Sequence, residues 1–192
     1  THQAEDALHR AVEASRIKYT LTGHTNEVSD IDFSPDGTKL ASASHDHTAK
    51  IWDFANGKEL FTLKGHTDQV QAIEFSPDGK RLASASWDGT AKIWDVATGR
   101  ELATLSGHTD RLLDIQYSRD GKLIATVADE KNVIVWDAES GKELLTLADT
   151  SLYSVSFSPD GSKIASGYTD GTVKVWDILT KQATLTLSGG HG

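Results

Sequence analysis

Serine, histidine and aspartate recur together along this chain, so the first question is whether they could perform acyl chemistry. His66, Ser84 and Asp88 form one set. His24, Ser42 and Asp46 repeat it at the same spacings, and His108, Thr126 and Glu130 repeat it with a carboxylate one methylene longer. A nucleophilic hydroxyl, an imidazole base and an orienting carboxylate are the parts of a hydrolase triad. Such a site normally occurs once, with its nucleophile on an exposed elbow of the Gly-x-Ser-x-Gly kind. Here the set recurs and no such elbow exists, so a structural role is expected, no catalytic residue is assigned, and an enzyme is not expected. His45-Asp46-His47 could in principle ligate a metal. Asp46 already belongs to the repeated set, however, and two histidines flanking one residue in a strand-turn point apart. The Pro-Asp-Gly turns lack the regular ligand spacing of a calcium loop. No glycine-rich phosphate loop is present, and no cofactor is expected.

The elements that must position these residues read as short strands. In the stretch Gly65 to Ser106, Val70, Ala72, Ile73 and Phe75 form an apolar run before a Ser-Pro-Asp-Gly turn at Ser76–Gly79. Leu82, Ala83 and Ala85 make a strand of small residues, and Asp88-Gly89 makes a tight turn. Ala91, Ile93 and Val96 flank Trp94-Asp95, Ala97-Thr98-Gly99 turns again, and Leu102, Ala103 and Leu105 make a fourth strand. Four strands joined by glycine-bearing turns predict an antiparallel meander. The unit recurs: Trp52, Trp94, Trp136 and Trp176 are 42, 42 and 40 residues apart, and Phe33, Phe75, Tyr117 and Phe157 keep the same spacings, as do Gly37, Gly79, Gly121 and Gly161.

A four-stranded unit at this period, with Gly-His near its start and Trp-Asp near its end, resembles the WD-repeat β-propeller family. The resemblance covers Ile17 to Leu187 and is carried by several motifs at once. In style the chain is similar to the bacterial propellers of STAND-type signalling ATPases. The fold expected is all-β, four four-stranded antiparallel blades: half of an eight-bladed ring or part of a longer array. Blade one spans 23–64, blade two 65–106, blade three 107–147, and blade four with a C-terminal tail 148–192. Ile17–Leu21 aligns with Glu59–Leu63 and Glu101–Leu105, so 17–22 reads as the outer strand of a neighbouring blade. Residues 1–16 carry Ala4, Leu8, Ala11, Val12 and Ser15 at helical spacing and read as a short amphipathic helix.

The resemblance also implies roles for the recurrent polar residues. In that family a loop His, a second-strand Ser or Thr, a turn Asp and the Trp form one hydrogen-bonded chain. Buried indole, hydroxyl and imidazole groups all need partners. The tetrads would be His24, Ser42, Asp46 and Trp52; His66, Ser84, Asp88 and Trp94; and His108, Thr126, Glu130 and Trp136. Blade four has Ser166, Asp170 and Trp176 but no His, so its network should be incomplete or wet. Three further positions per repeat would point toward the channel mouth: Glu27, Ser29 and His45; Gln69, Gln71 and Trp87; Arg111, Leu113 and Asp129; Ser151, Tyr153 and Thr169. Large residues at a rim are typical binding anchors, and Trp87 stands where the other repeats hold His, Asp and Thr.

Composition narrows the partners. Of 192 residues 38% are hydrophobic, ordinary for a globular chain, and no apolar run approaches the roughly 18 residues of a membrane span. The net charge of -9, with Lys and Arg scattered, gives no positive stripe for phosphates, so nucleic acid is not an expected partner. Cysteine is absent, which excludes disulfides and is compatible with the cytoplasm. The expected function is non-catalytic protein or peptide binding and scaffolding at the rim, in a signalling setting. The alternative is a purely structural, self-assembling propeller fragment, natural or engineered, without an evolved ligand. Four blades would leave open ends, which a homodimer closing an eight-bladed ring would remove.

Overall fold

A computed structural model describes residues 20–129, 132–148, 152–168 and 170–188. The expected N-terminal helix, residues 17–19 of the outer-strand segment, Glu130, Ser151, Thr169 and the last four residues lie outside them. Thr20 to Thr22 are described and carry no strand.

The described residues form four sheets of four strands each, every one an antiparallel meander in chain order. Blade one is β1 (Val28–Phe33), β2 (Lys39–Ser44), β3 (Thr48–Asp53) and β4 (Lys58–Lys64). Blade two is β5 (Val70–Phe75), β6 (Arg81–Ser86), β7 (Thr90–Asp95) and β8 (Glu101–Ser106). Blade three is β9 (Leu112–Tyr117), β10 (Leu123–Ala128), β11 (Asn132–Asp137) and β12 (Glu143–Ala148). Blade four is β13 (Leu152–Phe157), β14 (Lys163–Tyr168), β15 (Thr172–Asp177) and β16 (Gln182–Ser188). Adjacent blades meet most closely at their first strands, β1 against β5 and β5 against β9, so these are the inner strands of a fan of sheets.

The small residues of the second and third strands explain the stacking. Ala41, Ala43 and Ala49 of blade one are fully buried against Val70, Ile73, Phe75 and Trp94 of blade two. Alanine on one face and large side chains on the next let neighbouring sheets interlock at native density. Ala83, Ala85 and Ala91 repeat the arrangement against Leu112, Ile115 and Tyr117 of blade three.

Inner strands are sheet edges, and their outward N–H groups need acceptors. Side chains of the preceding blade supply them. Ile73 N–H donates to Asp30 Oδ2 at 2.9 Å and Phe75 N–H to Asp32 Oδ2 at 2.7 Å. Tyr117 N–H donates to Glu74, and Phe157 N–H to Gln116 Oε1 at 3.2 Å. The blades are therefore joined by hydrogen bonds as well as by apolar packing.

The turns follow their residues. Gly37, Gly79, Gly121 and Gly161 all adopt φ near +70°, and the turn survives in blade three although Arg119 stands where the others have proline. Lys181 replaces the glycine of the last turn yet keeps φ at 59°, and His47 has φ of 68° where Gly89 has 81°. Both are left-handed non-glycine residues.

Candidate functional site

Two layers of polar residues run through the blades, one inside them and one at the rim. The inner layer begins where the second and third strands pair. In blade one, Trp52 Nε1 donates to Ser42 Oγ at 2.9 Å, Ser42 Oγ lies 2.8 Å from His24 Nε2, and His24 Nδ1 lies 2.9 Å from Asp46 Oδ2. An ionised carboxylate only accepts, so Nδ1 carries the proton, Nε2 accepts, and the serine hydroxyl donates to it. Blade two repeats the chain with Trp94, Ser84, His66 and Asp88 at 2.8, 2.9 and 2.9 Å. Burial opposes the charge on Asp46, but hydrogen bonds from Thr48, the Thr25 N–H and His24 outweigh it and hold the acid well below the usual carboxylate range. Asp88 is held low in the same way, by His66, Thr90 and the Thr67 N–H.

This connectivity matches a catalytic triad on paper, but its hydroxyl is buried and already bonded. Ser84 is 0% exposed and its oxygen already accepts the indole proton. No substrate carbonyl could approach it. In blades one to three the histidine ties the loop that opens the blade to the strand beneath it.

Blade three keeps the same core, with Thr126 Oγ1 2.7 Å from His108 Nε2 and 2.8 Å from Trp136 Nε1; Glu130, its carboxylate, is outside the described residues. Blade four departs from expectation. Trp176 Nε1 donates to Ser166 Oγ at 2.9 Å, and Ser166 Oγ donates to the hydroxyl of Tyr168 at 2.9 Å. Tyr168 accepts the serine proton that an imidazole accepts in the other blades, so Ser166 keeps a protein partner. A phenol two residues along the same strand from a buried serine was the signal available in the sequence.

A second set of buried groups has no counterpart in the sequence reading. Lys50 Nζ donates to Glu59 Oε2 at 2.8 Å and to Thr62 Oγ1 at 2.7 Å, and Lys92 does the same with Glu101 and Thr104 at 3.0 and 2.8 Å. Both lysine side chains are buried beside the tetrad tryptophans. The clue was Lys two residues before Trp, with Glu nine and Thr twelve residues further on.

The outer layer comprises the positions expected at the rim, and the backbone brings three pairs of them together. His45 N–H donates to Glu27 O, Trp87 N–H to Gln69 O, and Asp129 N–H to Arg111 O, each at 2.9 Å. Ser29, Gln71, Leu113 and Tyr153 each sit at a break in the inner-strand register, where one residue bulges out of the ladder. Bulges re-aim side chains and are a common device beside functional sites. Ser29 Oγ reaches across to the next blade and donates to Val70 O at 2.6 Å, while Leu113 is exposed. Of Ser151, Tyr153 and Thr169 only the backbone of Tyr153, in β13, is described.

Across blades one to three the rim side chains touch. Glu27 Oε2 lies 3.7 Å from His45 Nδ1, the His45 ring is 5.9 Å from Trp87, and the Arg111 guanidinium stands 4.8 Å from the Trp87 ring centroid. Trp87 is half-buried, so it is a packed member of a ladder and not a bare anchor. Its indole Nε1 and the nearby Gln69 Oε1 are shielded from solvent and have no hydrogen-bond partner among the described residues. His45 and Asp46 are turned to different neighbours, Trp87 and His24, and do not converge on one point.

Four meandering sheets fanned about their first strands, each locked by an indole–hydroxyl network, define a propeller-type repeat protein. The chain matches the family described as WD domain, G-beta repeat in four segments, residues 15–53, 57–95, 99–137 and 141–177, and belongs to that family. The last three matched segments each take in the outer strand of one blade and the three inner strands of the next. Among curated proteins, the Lissencephaly-1 homolog of Dictyostelium discoideum is 44% identical over 54 residues, 28% of this chain and 12% of that protein. The small ribosomal subunit protein RACK1z of Arabidopsis thaliana is 44% identical over 46 residues, 24% of this chain and 14% of its own. The Notchless protein homolog of the same plant is 39% identical over 57 residues, 30% and 12% respectively. The chain thus aligns with only a small part of each relative's length. No helix among the described residues is long and apolar enough to cross a membrane.

Proposed function

We propose that the chain is a non-catalytic protein-binding and scaffolding module that takes a protein or peptide at its channel-mouth rim. The observation that carries this reading is the ladder Glu27–His45–Trp87–Arg111, which brings an indole and a guanidinium together across three blades with the indole still partly exposed. Tryptophan and arginine are the side chains that most often anchor a binding surface. The ladder's side chains already touch one another in the free chain, which lowers the entropic cost of docking. A relative named as a small ribosomal subunit protein supports a scaffold working in a large complex. We place the module in the cytoplasm, in a signalling assembly of the kind built by multidomain ATPases, and as a homodimer that closes a ring of eight blades.

The test uses peptides selected from a random library on the wild-type chain. Trp87→Ala and Arg111→Ala should each weaken the selected peptides by about tenfold or more. Unchanged affinity in both variants would remove the rim from the reading and favour a purely structural fragment.

A further inference from the structure

The antiparallel meanders put two turns of each blade at the end away from the rim: the one between the first and second strands, and the one between the third and fourth. Between blades two and three these turns enclose a cleft of about 450 Å³. Lys80 and Arg81 line it from blade two, and Lys122, Asp137 and Glu139 from blade three. Every residue of its wall is described, and both blades have a neighbour on their other side.

The repeat shows which of these residues the turns do not need. The position of Arg81 holds Lys39, Leu123 and Lys163 in the other blades, and that of Glu139 holds Ala55, Ala97 and Leu179. The turn closes alike with either residue: Gly99 N–H donates to Asp95 O at 2.8 Å beside Ala97, and Gly141 N–H to Asp137 O at 2.9 Å beside Glu139. The aspartates are committed to the turns themselves. Asp78 accepts from Ser76 Oγ at 2.7 Å and Lys80 N–H at 3.0 Å, Asp120 from Ser118 Oγ at 2.8 Å and Lys122 N–H at 3.1 Å, and Asp137 from Ser140 Oγ at 2.6 Å. Lys80 and Lys122 reach Asp78 and Asp120 at 3.8 and 3.4 Å, exposed contacts that hold neither lysine firmly.

Arg81 and Glu139 are different. Arg81 Nη1 crosses the junction and donates to Ala138 O at 2.7 Å. Among the described residues no carboxylate lies within ion-pair distance of this guanidinium, so most of its five-donor fork is unused. The Glu139 carboxylate has no hydrogen-bond or ion-pair partner among the described residues either, and it is exposed. The guanidinium is anchored to the peptide group that joins Ala138 to Glu139. A free cation and a free anion therefore stand close together on one cleft without meeting each other.

We infer that this cleft binds a small zwitterion with the chemistry of a free amino acid, its carboxylate on the Arg81 fork and its ammonium on Glu139. A planar guanidinium fork matches a carboxylate, and Lys80 and Lys122 flank it. The wall carries Lys80, Arg81 and Lys122 against Asp78, Asp120, Asp137 and Glu139, close to neutral as a whole. Such a wall gives a dianion little attraction and suits a ligand that brings one charge of each sign. The site lies at the opposite end of the blades from the rim and does not depend on what the rim binds.

The experiment titrates the isotope-labelled full chain with small probes and follows the backbone amides of Gly121 and Ser140 by NMR. Glycine, β-alanine and 4-aminobutyrate part the same two charges by successively more methylenes. Acetate, methylammonium and inorganic phosphate are the controls of one sign. At least one zwitterion should bind saturably and about tenfold more tightly than acetate or methylammonium, because it makes both charged contacts. Arg81→Leu and Glu139→Ala install the residues that blades three and two carry there, Leu123 and Ala97, so both variants should keep the fold. Arg81→Leu should lose zwitterion and acetate alike. Glu139→Ala should keep acetate and lose the preference for the zwitterion. No saturable shift with any zwitterion at tens of millimolar would overturn the site. Acetate or phosphate bound as tightly as the best zwitterion would overturn the assigned ligand and leave an anion site only, and wild-type affinity in both variants would overturn the assigned residues. Peptide binding at Trp87 is scored separately and can fail or succeed without touching these outcomes.

Discussion

Ser84 is the residue on which blade two turns, because one oxygen serves two buried rings. It accepts from Trp94 and donates to His66, and removing it strands both. Ser84→Ala should therefore cost about 1–3 kcal/mol in denaturant unfolding, the penalty of buried groups left unpaired. Tyr168→Phe should cost blade four about 1 kcal/mol, since only one donor loses its acceptor and Lys174 Nζ, 4.5 Å from the ring, keeps its contact. A Tyr168→Phe chain as stable as wild type would show that the phenol does not stand in for the histidine. Trp87 differs in kind. It packs between blades but is only half-buried, so Trp87→Ala should lower stability less than Trp94→Ala, for which about 3–5 kcal/mol is expected.

Among the elements, the inner strands carry the unusual chemistry. Glu74 on β5 caps the Tyr117 N–H of β9, and burial pushes its acid up to about 7, with Asp32, Asp114 and Asp30 adding repulsion against the pull of that N–H. The folded chain thus holds this proton to higher pH than the unfolded chain, where the group titrates near 4.5. Its contribution is complete below 4.5 and is lost as pH rises toward 7. The turn aspartates act in the opposite sense. Ser34 and Thr38 hydrogen bonds bring Asp36 down to about 2, and Ser158 and Ser162 do the same for Asp160, so their contribution is lost as pH falls from 3.8 toward 2. Taken alone, these groups favour the folded chain most between the two windows. Glu74→Gln keeps the acceptor and should flatten the decline from pH 4.5 to 7, as urea midpoints across that range would reveal. Turn geometry gives a second element-scale prediction. Lys181 holds a left-handed φ where the other repeats have glycine, so Lys181→Gly should stabilise blade four by about 1 kcal/mol. An unchanged or lower melting point would mean that the lysine side chain earns its strain through another contact.

At the scale of the whole molecule, stability is a chain of nearest-neighbour junctions, and each is both apolar and hydrogen-bonded. In the proposed dimer a second copy would add two junctions that depend on mass action. The melting temperature should then rise by several degrees between micromolar and hundred-micromolar protein. A melting temperature independent of concentration would mean that a second copy adds nothing to stability in solution.

Much of this was legible in the sequence because a repeat reports the same local physics four times. The strand limits and the turn glycines follow from alternation, turn chemistry and recurrence at one period, whereas the tetrad of blade two and the rim positions were expected from the resemblance to the WD-repeat family. Tyr168, the lysines buried beside the tryptophans and the carboxylate bridges from Asp32 and Glu74 were not legible in that way. Tyr168 breaks the repeat, so recurrence was silent about it. Lys50 and Lys92 look like surface residues until the fourth strand folds Glu and Thr over them. The bridges join residues 43 positions apart on different sheets, and only stacking one blade on another brings a carboxylate to a strand edge that its own sheet leaves bare. The sequence determined what each blade is; the tertiary structure decided how one blade satisfies the next, because those partners share no local pattern and meet only when the sheets pack.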